Sequence, residues 1–156
     1  MNFQPFDLAQ QPDLMGWFPD AVSVRTWGGP GFRHPFDVRT FREDAKFDSL
    51  SSWALVAPEG SLAAFGQYYL KLERCHLARL AVSPSLRGRG VGRRLVHELG
   101  RVGEAALGTS AYSLFVYEGN ATALRLYRSL GFVEAPYPQR SPEHEGILFM
   151  VATTIR

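Results

Sequence analysis

The stretch Arg87-Gly88-Arg89-Gly90-Val91-Gly92 is the most informative part of this 156-residue sequence. The apolar run that precedes it belongs to a predicted strand, His76 to Val82, which ends at Ser83-Pro84. After the turn, apolar residues recur at helical spacing: Val91, Leu95, Leu99 and Val102. The turn therefore leads from a predicted strand into a predicted amphipathic helix.

A turn of this kind is suited to binding an anion. The first turn of a helix has backbone N–H groups without partners inside the helix, and glycines let a ligand approach them closely. Four arginines add positive charge at this end: Arg87, Arg89, Arg93 and Arg94. Surface loops with solvated arginines have the same composition, so the turn by itself leaves both interpretations open.

Two common nucleotide-binding motifs do not fit this turn. A P-loop requires Gly-x-x-x-x-Gly-Lys-Ser/Thr, and the sequence contains no such run. The dinucleotide fingerprint Gly-x-Gly-x-x-Gly lacks its last glycine, because Arg93 stands there if the motif begins at Gly88, and Leu95 if it begins at Gly90.

Composition and charge favour one ordinary soluble domain. Hydrophobic residues make up 46% and charged residues 21% of the chain, and a formal charge of +2 is too small to indicate nucleic-acid binding. The single cysteine, Cys75, excludes an intramolecular disulfide and a cysteine-based zinc cluster. No signal peptide and no apolar run of about 18 to 20 residues is present, so we expect a cytoplasmic protein without a membrane partner.

The remaining pattern predicts a mixed α/β sheet covered by helices. The strands predicted besides the one before the turn are 53–57, 62–70, 111–117 and 147–154, with a tight turn at 58–60 joining the first two. A helix is predicted from the N-cap Asn120 to Leu130, with Gly131 just past its end. Weaker patterns predict helices over 7–17 and 38–47, and the residues 27–35 read as a loop.

Two ordered signatures resemble those of the GNAT acetyltransferase superfamily. Leu80-Ala81-Val82-Ser83-Pro84, followed by Arg87-x-x-Gly90-x-Gly92 and Leu95, resembles its acyl-CoA signature. The second, Asn-x-x-Ala-x-x-Leu-Tyr-x-x-x-Gly-Phe after a strand, stands here as Asn120, Ala123, Leu126-Tyr127 and Gly131-Phe132. The resemblance is specific over 75–132.

This resemblance implies one domain over 1–156 with the GNAT fold, a V-shaped and mostly antiparallel sheet with flanking helices. The acyl-CoA-binding core would cover about 52–132, and acceptor-side segments about 7–47 and 133–146. Acetyl-CoA is the implied co-substrate, and no metal is implied.

By the same resemblance, the backbone of Arg87, Gly88, Arg89, Gly90, Val91 and Gly92 would hold the pyrophosphate of acetyl-CoA. The pantetheine arm would lie between the ends of two strands and pair with backbone near Leu80 and Val82. The Val82 N–H is the candidate donor to the thioester oxygen as that atom gains negative charge. Asn120 resembles the residue that contacts the pantetheine arm, and it also fits a simple helix N-cap.

Tyr127 resembles the family tyrosine that protonates the departing thiolate, although a tyrosine in mid-helix is often a core residue. Several family members place a glutamate where His76 stands here. Histidine, with an ordinary pKa of about 6.5, suits a general base. Glu73, Glu118 and a water are alternatives for the general base. In that case His76 would have a purely structural role. A covalent role for Cys75 is disfavoured, because the family mostly transfers the acetyl group directly.

The implied reaction is direct transfer of an acetyl group to a primary amine of a small molecule, peptide or protein. The alternative is a non-catalytic acyl-CoA sensor on the same fold. The sequence does not identify the acceptor, and a homodimer stays open because many relatives are dimers. Aromatic residues that could line the acceptor slot are Trp17, Phe18, Trp27, Phe32, Phe36 and Tyr137; carboxylates that could recognise an amine are Asp20, Glu43, Asp44 and Glu143.

Overall fold

The computed structural model describes all residues, Met1–Arg156. Its strands are β1 (Asn2–Pro5), β2 (Ser51–Val56), β3 (Leu62–Lys71), β4 (Arg74–Val82), β5 (Tyr112–Tyr117), β6 (Val133–Ala135) and β7 (Ile147–Ala152). Its α-helices are α1 (Gln11–Met15), α2 (Ala21–Gly28), α3 (Val38–Asp44), α4 (Val91–Leu107) and α5 (Ala121–Ser129). None of these helices has the length and apolar character that crossing a bilayer requires.

The strands form one sheet in the order β1-β2-β3-β4-β5-β7-β6. The pairs β1/β2, β5/β7 and β6/β7 are antiparallel, whereas β4 and β5 are parallel. Parallel neighbours need a long crossover connection, and helix α4 supplies it. The predicted fold class, a mixed and mostly antiparallel sheet with helices, is confirmed.

Contacts divide the chain into two compact units, and β3, β4 and α4 contribute residues to both. The first unit comprises Met1–Gln67 and Arg79–Leu95. Its strands serve two cores, and the neighbouring residues Ala54 and Leu55 of β2 belong to different ones. One core, around Phe41 and Phe65, includes residues of α1–α3, and the other joins Leu55 and Ala64 to Leu95 of α4.

The second unit comprises Tyr68–Ala78 and Val96–Arg156. On one face of its strands, the side chains of Tyr68 and Cys75 lie against Gly103 of α4. Tyr112 is on the same face, since its hydroxyl donates to the Glu104 carboxylate at 2.5 Å. The alternating residues Tyr69, His76, Ser113 and Phe115 therefore lie on the face away from α4.

The sequence analysis missed three elements. Strands β1 and β6 are only four and three residues long, too short for a reliable alternating pattern. Helix α2 is rich in β-branched residues, which disfavour a helix prediction. A capping box stabilises the start of this helix, because the Asp20 carboxylate accepts from the Ser23 N–H at 2.7 Å. The predicted loop 27–35 consequently begins two residues later, after Gly28.

Cys75 is an inert core residue in this structure. It is fully buried, and its burial, with a smaller contribution from the Glu104 carboxylate, raises the pKa of the thiol to about 11. Because the thiolate is the reactive form, this environment opposes a covalent catalytic role.

We predict that the native chain reacts with iodoacetamide at Cys75 about 100-fold more slowly than the urea-unfolded chain near pH 8, since a raised pKa lowers the thiolate fraction. Mass spectrometry of timed samples measures both rates. Equal rates would contradict the buried placement.

We predict that Gly103→Ala destabilises the chain by about 1–3 kcal/mol despite the better helix propensity of alanine. A Cβ at this position would lie 2.5 Å from the Cys75 Sγ. Urea unfolding measures the loss, and Gly31→Ala, where nothing lies within 4 Å of the added carbon, is the matched control. The double variant with Cys75→Ala should regain part of the loss, and a failure to do so would contradict the packing.

Candidate functional site

The Arg87–Gly92 turn has the backbone that its glycines suggest. Gly88 and Gly90 adopt φ angles of 75° and 80°, in the left-handed region that glycine tolerates and other residues disfavour. Nothing lies within 4 Å of a Cβ built on either residue. The glycines are therefore required by backbone conformation, and the space beside them is open.

Helix α4 begins directly after this turn. The Arg94 N–H donates to the Gly90 carbonyl at 3.2 Å, as the first bonds of an α-helix do. The first N–H groups of an α-helix lie at the positive end of its dipole and are not needed for the bonds of later turns. The exposed Arg87 and Arg89 flank these groups. The arrangement has the chemistry that an anion requires, with backbone donors at a helix start and cations around them.

Strand β4 contains an irregularity that the sequence did not reveal. Arg79 has a φ of 50°, which is uncommon for a residue other than glycine. Its carbonyl accepts from the Trp27 Nε1 at 2.7 Å, and its guanidinium donates to the buried Gln67 at 3.1 Å. These bonds fix the course of the residues that follow. No local sequence signal marks such a site, because the partners come from distant parts of the chain.

Leu80 and Val82, the predicted pantetheine contacts, lie in β4 just after this irregularity. Both are half-buried and pack against the core around Leu55. The Val82 carbonyl accepts from the Arg87 Nε at 3.4 Å, which ties the strand end to the turn.

Strand β5 is only partly paired with β4. The register joins Cys75–Leu77 to Tyr112–Leu114, whereas β5 stays paired with β7 as far as Tyr117. Beyond Leu114, β5 therefore has β7 as its only registered partner. Its other edge offers backbone N–H and C=O groups of the kind that bind an extended ligand.

Asn120 and Tyr127 are both placed by helix α5. The Asn120 Oδ1 accepts from the Ala123 N–H at 3.3 Å and caps the helix, which leaves the amide N–H groups outside the cap. The helix ends at Ser129, and just beyond it the φ of 100° at Gly131 allows the Phe132 N–H to bond back to the Tyr127 carbonyl at 3.0 Å. The second sequence signature is thus a helix with both of its ends specified.

Tyr127 is 9% exposed and its ring contacts that of Phe132. Burial raises the pKa of its hydroxyl to about 12. The hydroxyl therefore keeps its proton throughout the physiological pH range and can act as a donor.

His76 lies in β4 and is 1% exposed. Its Nδ1 is 2.8 Å from the Ser113 hydroxyl, and its ring packs against Tyr69 and Phe115. An acceptor molecule would have to exchange protons with such a buried imidazole through an intermediary. The alternative carboxylates Glu73 and Glu118 are exposed.

Most of the residues considered for acceptor binding have structural partners. Asp20 caps α2, and both Glu43 and Asp44 form 2.8 Å ion pairs with Arg33. Five of the six aromatic residues belong to or pack against the core around Phe41: Trp17, Phe18, Trp27, Phe32 and Phe36. Glu143 stays exposed, and Tyr137 packs instead against Phe115 and Phe149 in the second unit.

Comparison with known proteins identifies the family of the chain. The family model of the Acetyltransferase (GNAT) family matches residues 21–132. A [ribosomal protein bS18]-alanine N-acetyltransferase of Escherichia coli is 35% identical over 98 residues, covering 57% of this chain and 63% of that protein. The chain thus spans less than two thirds of the length of the curated relatives that it matches.

Two solved structures share the fold. The ribosomal-protein-S18-alanine N-acetyltransferase from Escherichia coli has a TM-score of 0.68 at 24% identity, covering 99% of this chain and 95% of that one. The PaiA N-acetyltransferase from Thermoplasma acidophilum, solved in complex with coenzyme A, has a TM-score of 0.68 at 14% identity, covering 97% of each chain. Because the family model matches most of this chain, residues 21–132, the chain belongs to the GNAT acetyltransferase family.

Proposed function

We propose that this protein transfers an acetyl group from acetyl-CoA to a primary amine by direct attack of the amine on the thioester. The observation that carries the proposal is the left-handed, glycine-dependent turn Arg87–Gly92 at the start of α4. Membership of the family and the coenzyme A bound to the PaiA protein support the same donor.

In this proposal the turn binds the pyrophosphate. The N–H groups at the start of α4 donate to its oxygens, and the helix dipole favours the negative charge. Arg87 and Arg89 are exposed on either side of Gly88 and add charge-assisted hydrogen bonds. The thiol-bearing arm pairs with backbone at Leu80 and Val82, and Asn120 contributes its amide.

The chemical step joins the amine nitrogen to the carbonyl carbon and breaks the carbon–sulfur bond. Negative charge develops first on the thioester oxygen, which the Val82 N–H would stabilise. The electron pair of the broken bond leaves on sulfur, and the Tyr127 hydroxyl supplies the proton that turns this thiolate into the thiol. The tyrosine then regains a proton from the substituted nitrogen, which becomes the neutral amide. The raised pKa of Tyr127 keeps the hydroxyl protonated before the step.

The attacking amine must first lose the proton that it carries as an ammonium group. His76 is our candidate for receiving it, relayed by water because the imidazole is buried. Its bond to the Ser113 hydroxyl holds the ring in one orientation. The acceptor itself is a small-molecule, peptide or protein amine.

The test is an acetyl-CoA turnover assay across small amines and amino-terminal peptides, with released thiol as the readout. The proposal predicts thiol release and an acetylated product for at least one acceptor class. Tight coenzyme A binding without thiol release would favour the non-catalytic sensor, and no coenzyme A binding would overturn both functions.

We predict that Tyr127→Phe lowers kcat by about 10²–10⁴-fold, the usual contribution of a positioned acid, while acetyl-CoA affinity changes little. Steady-state kinetics and calorimetry measure the two effects. Tyr68→Phe, which removes the hydroxyl of another buried tyrosine, is the matched control and should keep its kcat. Equal kcat values for Tyr127→Phe and the wild type would remove Tyr127 from the mechanism.

A further inference from the structure

Lys71 is held in an unusual aromatic setting in the second unit. Its Nζ lies 5.9 Å from the centre of the Tyr69 ring, 5.6 Å from that of Phe115 and 5.4 Å from that of Tyr137. Distances within about 6 Å of a ring centre allow a cation–π interaction. The chain contains only one other lysine, Lys46, and fifteen arginines. Position 71 therefore has a compact ammonium group in a chain whose cations are mostly arginines.

Arg74 lies directly beside Lys71. The two residues flank the two-residue hairpin turn Leu72-Glu73, whose φ angles of 49° and 62° are those of a tight turn with both central residues left-handed. Residues that flank such a turn face each other across the strand pair, and their side chains lie on the same face. Like charges in this position repel, which destabilises the fold.

The three rings stabilise the Lys71 ammonium, but no carboxylate neutralises either charge. Neither Lys71 nor Arg74 forms an ion pair, and the buried Nη1 of Arg74 has no hydrogen-bond partner. Leaving a buried donor unpaired costs about 1–3 kcal/mol. A bound anion would accept from the unpaired Arg74 Nη1 and would reduce the repulsion between the two cations.

One further polar side chain, His144, packs on two of the rings that Lys71 approaches. The His144 Nδ1 accepts from the Ser141 N–H, which leaves the proton of a neutral ring on Nε2. The His144 ring packs against Phe115 and Tyr137. The exposed Glu143 carboxylate lies 3.9 Å from the His144 Nε2.

We propose that Lys71 and Arg74, with the aromatic residues Tyr69, Phe115 and Tyr137, form a binding site for a carboxylate-bearing ligand. The ammonium and guanidinium groups bind the carboxylate, and the rings contact the aliphatic part of the ligand. Two of these rings, those of Tyr69 and Phe115, also pack against His76, the proposed base. Resting on the proposed function, we therefore assign this ligand as the amine acceptor, which then carries a carboxylate as well as its amine.

The geometry disfavours the opposite occupant, an alkylammonium group within the three rings. Such a ligand would have to displace the Lys71 ammonium and would then meet Arg74. A carboxylate instead binds to both the Lys71 ammonium and the Arg74 guanidinium without displacing either.

The deciding experiment is an NMR titration of the full chain with three probes of equal chain length: hexanoate, hexanamide and hexylammonium. We expect hexanoate to bind most tightly, with amide shifts at Lys71, Arg74 and Phe115. Lys71→Met should weaken hexanoate about tenfold, or about 1.4 kcal/mol. Lys71→Arg should retain binding because it keeps the charge, and Lys46→Met, the matched loss of an exposed lysine, should not change it.

Tighter binding of hexylammonium than of hexanoate would overturn the proposal and favour a cation site. Equal effects of Lys71→Met and Lys46→Met, or no hexanoate-induced shift, would overturn it too. This titration needs no turnover, so it decides the carboxylate site even if the acetyltransferase proposal fails. If thiol release is found, ω-aminohexanoate should be preferred over the corresponding diamine, and a preference for the diamine would overturn the assignment to the acceptor.

Discussion

The parallel pairing of β4 with β5 is the constraint on which the candidate site depends. Two neighbouring strands that run in the same direction cannot be joined by a tight turn, so the chain must cross over through α4. The crossover has to begin where β4 ends, and this puts a helix N-terminus immediately after that strand. The position of the proposed anion site at Arg87–Gly92 follows from the connection, and the glycines leave space beside the backbone.

The pairing is also short, and its shortness has consequences of its own. Only Cys75–Leu77 of β4 are in register with β5, and Arg79 then takes a left-handed conformation that Trp27 and Gln67 stabilise. In a regular strand, the backbone N–H and C=O groups from Arg79 onward would pair with the neighbouring strand. Here they lie next to the residues proposed to hold the thiol-bearing arm of acetyl-CoA.

Much of this arrangement could be predicted from the sequence, because it is encoded locally. The apolar run before Arg87–Gly92 predicted β4, and the helical spacing after it predicted α4. The Asn120 cap and Gly131 predicted the two ends of α5. The parts that were missed depend on distant contacts. The Arg79 irregularity requires Trp27 and Gln67, and the cluster around Lys71 joins β3, β5 and the segment before β7. No spacing along the chain signals either of them.

The central claim is that the Arg87–Gly92 turn binds the pyrophosphate of an acyl-CoA. Calorimetric titration with coenzyme A and with pantetheine, which keeps the thiol arm and lacks the pyrophosphate, tests it most directly. The account predicts that coenzyme A binds about 100-fold more tightly or better, since each hydrogen bond to a charged group contributes about 1.5–3 kcal/mol. Equal affinities for the two ligands would contradict it.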